Sequence, residues 1–317
     1  MAAETYMPLS GVTAQPEVTE SVATPAPDGG EAAAPLPGWF LPAILLLIAA
    51  AAAVVARLIL RRRRAVTNTS APVVGKLHEQ GARDSQQDSF SVSPAELAGT
   101  HGLLAAVADG MGGLSDGDRV SQAAVTSVME RFIYDDAAGI TPEESLLRLL
   151  SSANSSVNKL LGYSRIGQSG STLLLGLLKD GYFYFLSVGD SRIYLYRSGS
   201  LLQLNREHIY RRELELLAVN GDGSIAEAAS HPRAAGLTSY LGMGQLKYVD
   251  ICDAPVAVMA GDRFVLMTDG VYNALSDAEL KAALDNGAQA AADAIGAAVE
   301  SHAWPGQDNY TAVVIQC

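Results

Sequence analysis

Three times in this chain an apolar run that reads as a buried strand ends on an aspartate. Residues 103–108 run into Asp109-Gly110, residues 183–188 into Gly189-Asp190, and residues 264–267 through Thr268 into Asp269-Gly270. Asp88, in Gln86-Gln87-Asp88-Ser89-Phe90, and Asp308, in Gly306-Gln307-Asp308-Asn309, lie beside expected strands near the two ends of the same region. A single Asp-Gly is ordinary turn chemistry. Repetition changes the argument, because a carboxylate just beyond an apolar strand is costly to desolvate unless it caps a turn, is paired or holds a cation. The pattern predicts five carboxylates converging from distant parts of the chain, with Asp109 where its strand enters a flexible glycine-rich turn, residues 110–113. Hard oxygen donors without matching His or Cys suit Mg²⁺ or Mn²⁺ rather than zinc.

The 317 residues carry a formal net charge of −12, and no long basic face appears after residue 64. Phosphate contacts need a basic surface, so a nucleic-acid binder is excluded. Cys252 and Cys317 have neither metal-finger spacing nor a disulfide framework, which points to a reducing compartment.

Residues 1–38 are rich in Ala, Pro, Thr and Glu, lack Lys and Arg, and are expected to be a disordered tail. Residues 39–60 are almost continuously apolar, interrupted by Pro42 and Arg57, and roughly 20 apolar residues match a bilayer span. The cluster Arg61-Arg62-Arg63-Arg64 follows the apolar run, whereas a signal peptide carries its charge before it. The expectation is a single-pass anchor in the cell membrane, N-terminus outside and the remainder cytoplasmic, with residues 39–64 contacting lipid. Residues 61–72 read as a basic juxtamembrane linker, and the globular domain as 73–317.

Within that domain, strands are expected within 75–90, at 103–108, 170–178, 182–188, 192–197, 237–241, 247–252 and 310–315, besides the run 264–267. Tyr182-Phe183-Tyr184-Phe185 is apolar on both faces and reads as a central strand. A helix over 115–132 would turn Val120, Ala123, Ala124, Val128 and Met129 inward. Thr141-Pro142-Glu143-Glu144 and Ser276-Asp277-Ala278-Glu279 are N-terminal capping signals, for helices over 142–162 and toward Leu284. Further helices are expected over 211–219 and 288–300, with a mobile surface segment after 219. His208 and His231 lack a ligand-spaced neighbour and read as surface or structural residues.

The ordered set Arg83-Asp84-Ser85-Gln86-Gln87-Asp88, Asp109-Gly110-Met111-Gly112-Gly113 with Gly117-Asp118 and Ser121, Gly170-Ser171-Thr172, Gly189-Asp190-Ser191-Arg192, Leu237-Thr238 with Leu241-Gly242, Asp269-Gly270 and Asp308-Asn309 resembles the metal-dependent Ser/Thr protein phosphatases, the PPM or type 2C family. The resemblance covers roughly residues 73–317. It implies an α+β fold, a four-layer α-β-β-α sandwich of two antiparallel sheets flanked by helices, preceded here by the single transmembrane helix. It also implies that Asp88, Asp109, Asp269 and Asp308, with the Gly110 carbonyl, are ligands of two Mg²⁺ or Mn²⁺ ions. Asp190 with Asp269 would bind a third, weaker ion, and Arg83 would bind the phosphate. The implied reaction is hydrolysis of phosphoserine and phosphothreonine in proteins by a hydroxide held between the two ions, opposing a Ser/Thr kinase.

Gln86, Gln87 and Asp118 depart from the family's usual residues. Met111 stands where eukaryotic members carry a histidine proposed as general acid, so the chain resembles the bacterial subgroup and its proton donor is unassigned. Two rival readings are a catalytically silent phosphatase-fold module that binds partners in membrane signalling, and an output module governed by its span or tail. Loss of ligands would favour the silent module, and none is lost.

Overall fold

The computed structural model describes residues 40–67, 71–112, 116–135 and 139–317. The expected tail, residues 1–38, lies outside the described residues, as does Gly113. The first helix, α1 (Phe40–Thr67), runs on through the arginines, past the expected end at residue 60. Arginine is a good helix former, so the helix continues through 61–67, within the expected linker. Among the described residues no helix is long and apolar enough to cross a membrane. The described side chains at positions 44–57 of α1 are all exposed.

The rest is built from two antiparallel sheets. One has the order β1 (Val73–Glu79), β12 (Tyr310–Gln316), β11 (Arg263–Met267), β7 (Arg192–Arg197), β8 (Ser200–Gln203). The other runs β10 (Val256–Ala257), β6 (Tyr182–Val188), β5 (Leu173–Lys179), β3 (Leu103–Gly112), β2 (Asp88–Val92), with β4 (Ser169–Ser171) paired to β3 and β9 (Asp250–Ile251) to β6. Side chains alternate across each strand, and this alternation separates three cores. Ala105, Val107, Leu174 and Phe183 face Ile193, Phe264, Leu266 and Val313 between the sheets. Phe183 and Phe264 stack there at 3.9 Å between ring centroids. Leu104, Ala106, Leu175 and Leu186 face outward onto α2 (Gly117–Tyr134) and α3 (Pro142–Leu161). Val265, Ala312 and Val314 face α7 (Asp277–Leu284) and α8 (Ala288–Ser301) on the opposite side. The layers are therefore α-β-β-α.

Both capping signals operate. Thr141 Oγ1 accepts from the Glu144 N–H, and Ser276 with Glu279 completes a capping box. On α2 the inner face includes Val125 and Phe132, while Ala123 is only half-buried. The expected strand 170–178 breaks at Thr172, and 237–241 is not a strand but makes single bridges from Leu237 to Ile209 and from Leu241 to Ser171. The expected strand 247–252 contracts to β9. The segment after α4 (Tyr210–Val219) contains a short helix, α5 (Ile225–Ser230), capped by Ser224.

Candidate metal centre

The strand ends carrying the aspartates meet at one end of the sandwich. β2 and β3 pair so that Asp88 stands directly opposite Asp109. Like charges in directly opposed cross-strand positions are destabilising, and nothing basic stands between them in the ladder. The glycine-rich stretch after Asp109 is strand and not turn: β3 continues through Gly112 and pairs with β4. The reason for glycine is close approach. A Cβ on Gly110 would lie 2.0 Å from the Gly117 carbonyl oxygen and 2.6 Å from that of Gln87. The loop before β2, β3 and the start of α2 thus pack backbone to backbone beside Asp109.

From the other sheet, β11 delivers Asp269 as the first residue of α6 (Asp269–Tyr272), and Asp308 precedes β12. Asp190 sits in the turn between β6 and β7, where the chain passes from one sheet to the other. Asp109, Gly110, Asp190, Asp269 and Asp308 line a cavity of about 340 Å³, with Arg83, Gln87, Met111 and Leu237. Asp88 does not line it. Its side chain is buried beside Asp109 on the same face of the β2–β3 pair, 4% exposed, with Oδ2 accepting from Thr268 Oγ1 at 2.8 Å.

Burial pushes the carboxyls up, and the neighbouring aspartates push further. Asp88 and Asp190 are each raised to about 7, Asp109 well above the usual carboxylate range, and Asp269 in the same direction, with Asp308 adding repulsion. A buried cluster of carboxylates that resist ionisation in one another's presence is what a hard divalent cation relieves. All the donors are oxygens, so the residues fit Mg²⁺ or Mn²⁺. Among the described residues no three His, Cys, Asp or Glu side chains close on a single point. The carboxylate of Asp308 is turned to Arg83, whose Nη2 donates at 2.6 Å, and Asn273 Nδ2 donates to Asp269 Oδ2 at 3.2 Å.

Arg83 pairs with Asp308 and not with its neighbour Asp84. Both partners of that pair are exposed, so it is weak and leaves the guanidinium available to another anion at the cavity rim.

Several scaffold residues, some of them within the quoted motifs, have roles that only the structure assigns. Asn309 is buried, accepts from the Gln87 N–H at 2.8 Å and donates to the carbonyls of Gln80 and Ser85, tying down the loop that bears Arg83. Thr172 Oγ1 accepts from the Asp109 N–H at 2.9 Å and bonds Ser191 Oγ beside Asp190. Tyr272 donates to the Asp190 carbonyl at 3.2 Å, and Arg192 lies 3.7 Å over the Tyr272 ring while its Nη2 pairs with Glu207 at 2.7 Å. His208 is structural, as expected: buried, with Nδ1 accepting from the Gly189 N–H.

Residues 74–300 match the family model described as Protein phosphatase 2C. The serine/threonine phosphatase stp of Listeria monocytogenes is 27% identical over 215 residues, 66% of this chain and 82% of that protein. Among solved structures, PppA of Pseudomonas aeruginosa, a regulatory component of its T6SS, superposes with a TM-score of 0.62 at 29% identity, covering 78% of this chain and 98% of that one. The catalytic domain of the phosphatase PstP, in complex with two manganese ions, shares the fold at a TM-score of 0.60 and 24% identity, over 77% and 97% of the two chains.

Proposed function

Since the chain belongs to the protein phosphatase 2C family, we propose that it is a membrane-anchored phosphatase acting at the cavity bounded by Asp109, Asp190, Asp269 and Asp308. It is a serine/threonine protein phosphatase of the bacterial type, with phosphoprotein substrates and dependence on Mn²⁺ or Mg²⁺. The observation that carries the site assignment is the gathering of four carboxylates from distant segments round one cavity with Arg83 at its rim.

In this reading Asp109, Asp269, Asp308 and the Gly110 carbonyl would hold two ions, and Asp190 with Asp269 would hold a weaker third. Asp88, expected as a further ligand, is not among the cavity-lining residues and stands beside Asp109 in the ladder. Divalent cations held by these residues would lower the pKa of water and so supply the nucleophile for hydrolysis. Arg83 presents its planar fork of donors to the phosphate oxygens, orienting the ester and offsetting charge as it develops. Asn309 keeps the Arg83 loop at the rim. Met111 lines the cavity but has no exchangeable proton, so the leaving serine or threonine oxygen is not protonated from that position.

The test is hydrolysis of a phosphothreonine peptide by the full chain with Mn²⁺ and with chelator, beside Asp269→Asn. Metal-dependent turnover that the substitution abolishes is expected. Turnover indifferent to chelator, or retained in the variant, would sink the site assignment. A folded, metal-loaded chain without turnover would favour the silent binding module.

The anchor is supported by the apolar run 39–60 and the arginines after it. It would hold the catalytic domain at the cytoplasmic face, facing the substrates of a membrane Ser/Thr kinase. Recovery of the expressed chain in the soluble fraction, or a protease-inaccessible N-terminus in intact cells, would count against it.

A further inference from the structure

A second and larger cavity, of about 830 Å³, lies between α4, the start of α5 and the segment entering β9. Its apolar surface comes from Ile209, Leu216, Val219, Ile225, Tyr248 and Val249. Although α4 carries four leucines and valines among its ten residues, none of its residues is buried. Leu216 and Val219 are 66% and 77% exposed. Apolar side chains gathered on one uncovered face mark a surface that something else covers. The charges around the cavity are already engaged with one another: Arg206 with Asp250 at 2.9 Å, Arg212 with Glu215 at 2.9 Å, and Lys247 with Glu213 at 2.6 Å. What the cavity offers a ligand is therefore apolar contact.

This cavity and the metal centre share a wall. Leu237 lines the metal centre and Thr238, the next residue, lines the outer cavity. The wall is held by the Leu237–Ile209 bridge and by the Thr238 N–H, which donates to the His208 carbonyl at 2.8 Å. The Thr238 hydroxyl makes no hydrogen bond within the described residues. Consecutive Cα atoms are about 3.8 Å apart and an extended chain advances about 3.3 Å per residue. A substrate segment with its phosphorylated residue in the metal centre would thus reach the outer cavity within about two to four residues.

We propose that the outer cavity is a substrate groove that takes a large apolar side chain, of the size of Leu, Ile, Met or Phe, about two to four residues from the phosphorylated Ser or Thr. The inference rests on the phosphatase reading above and names a substrate feature for that same site. The wall shared with the catalytic cavity, and rim charges already satisfied, favour a substrate segment over a charged ligand.

The experiment uses the full chain in detergent with Mn²⁺ and a set of phosphothreonine peptides in which Leu replaces Ser at one flanking position at a time. p-Nitrophenyl phosphate serves as a substrate that enters the metal centre but is too short to reach the groove. At one position Leu should lower KM by about 10-fold, the discrimination typical of one buried aliphatic side chain. Leu216→Glu and Val249→Glu should each erase that preference while leaving p-nitrophenyl phosphate hydrolysis within about twofold, since neither residue touches the metal centre. Absence of any positional preference would overturn the proposal. So would equal losses on both substrates, or variants that change the oligomeric state in light scattering, which would make the face a contact between copies. Failure of the unmodified chain to turn over p-nitrophenyl phosphate with Mn²⁺ would instead overturn the phosphatase reading, and the groove with it.

Discussion

Replacing Asp88 by Asn should stabilise the metal-free protein. Asp88 is 4% exposed, stands opposite Asp109 in the ladder, and is met by neutral donors, the hydroxyls of Thr268 and Thr311, and among the described residues by no cation. Its carboxyl is raised from 3.8 to about 7. At about 1.4 kcal/mol per pH unit, keeping it ionised at pH 8 costs the fold about 4 kcal/mol at most. Part of that belongs jointly to Asp109 and Asp269, so about 2 kcal/mol is the expected gain from Asn, or about 5 °C in Tm for a domain of this size. The folded value lies above the unfolded one, so this contribution to stability is fully present below about pH 4 and is lost as the pH climbs to about 7. The advantage of Asn should therefore shrink by at least half at pH 5. Added Mn²⁺ should reverse the order, because the wild type gains more from a bound cation than a neutral amide allows. The assay is thermal unfolding at both pH values, in chelator and across an Mn²⁺ titration. If Asp88→Asn lowers Tm in chelator at pH 8, Asp88 is a structural acceptor for Thr268 and the charge argument fails.

Three other substitutions separate roles. Gly110→Ala places a methyl 2.0 Å from backbone that cannot step aside, so urea unfolding should show a loss of about 2 kcal/mol or more. Arg83→Ala should change stability by less than about 1 kcal/mol, because its pair with Asp308 is exposed, yet lower phosphopeptide kcat/KM by about 100-fold. Arg192→Ala leaves Glu207, whose side chain is 4% exposed, without its closest partner, and should cost about 3 kcal/mol in the same unfolding assay.

How far these elements were legible depends on where their information resides. Strands 182–188 and 192–197 and the run 264–267 could be read directly, because strands packed on both faces must be apolar along their length. β8 and β10 sit at sheet edges, are short and partly exposed, and have little apolar pattern to read. α5 carries a cap signal in Ser224 and Glu227, but Ala228 is its only buried residue, so no periodic face announces it. The aspartates were legible as a set because each follows or borders an apolar strand. Their supports were not. Thr268 reaches Asp88 across 180 positions and Asn309 reaches Gln87 across 222, and although Asn309 sits in a quoted motif, what a hydroxyl or amide beside a strand holds cannot be read until the partner strand is in place.

The placement of the carboxylates explains why the fold tolerates them. Asp88 and Asp109 belong to the seven-stranded sheet, Asp269 and Asp308 to the end of β11 and the start of β12 in the five-stranded sheet, and Asp190 to the turn that carries the chain from one sheet to the other. Away from this end, the inter-sheet core of Phe183, Phe264, Leu266 and Val313 holds the layers by apolar burial. At this end the apolar side chains give way to repelling acids, and among the described residues the compensation is neutral donors, the exposed Arg83, and Arg192 beside Asp190. On the proposed reading a divalent cation there would do more than supply chemistry: it would stand in for the missing core between the two sheets. On that reading the catalytic requirement and the structural one fall on the same carboxylates, so removing one should lower turnover with metal bound and raise stability in chelator.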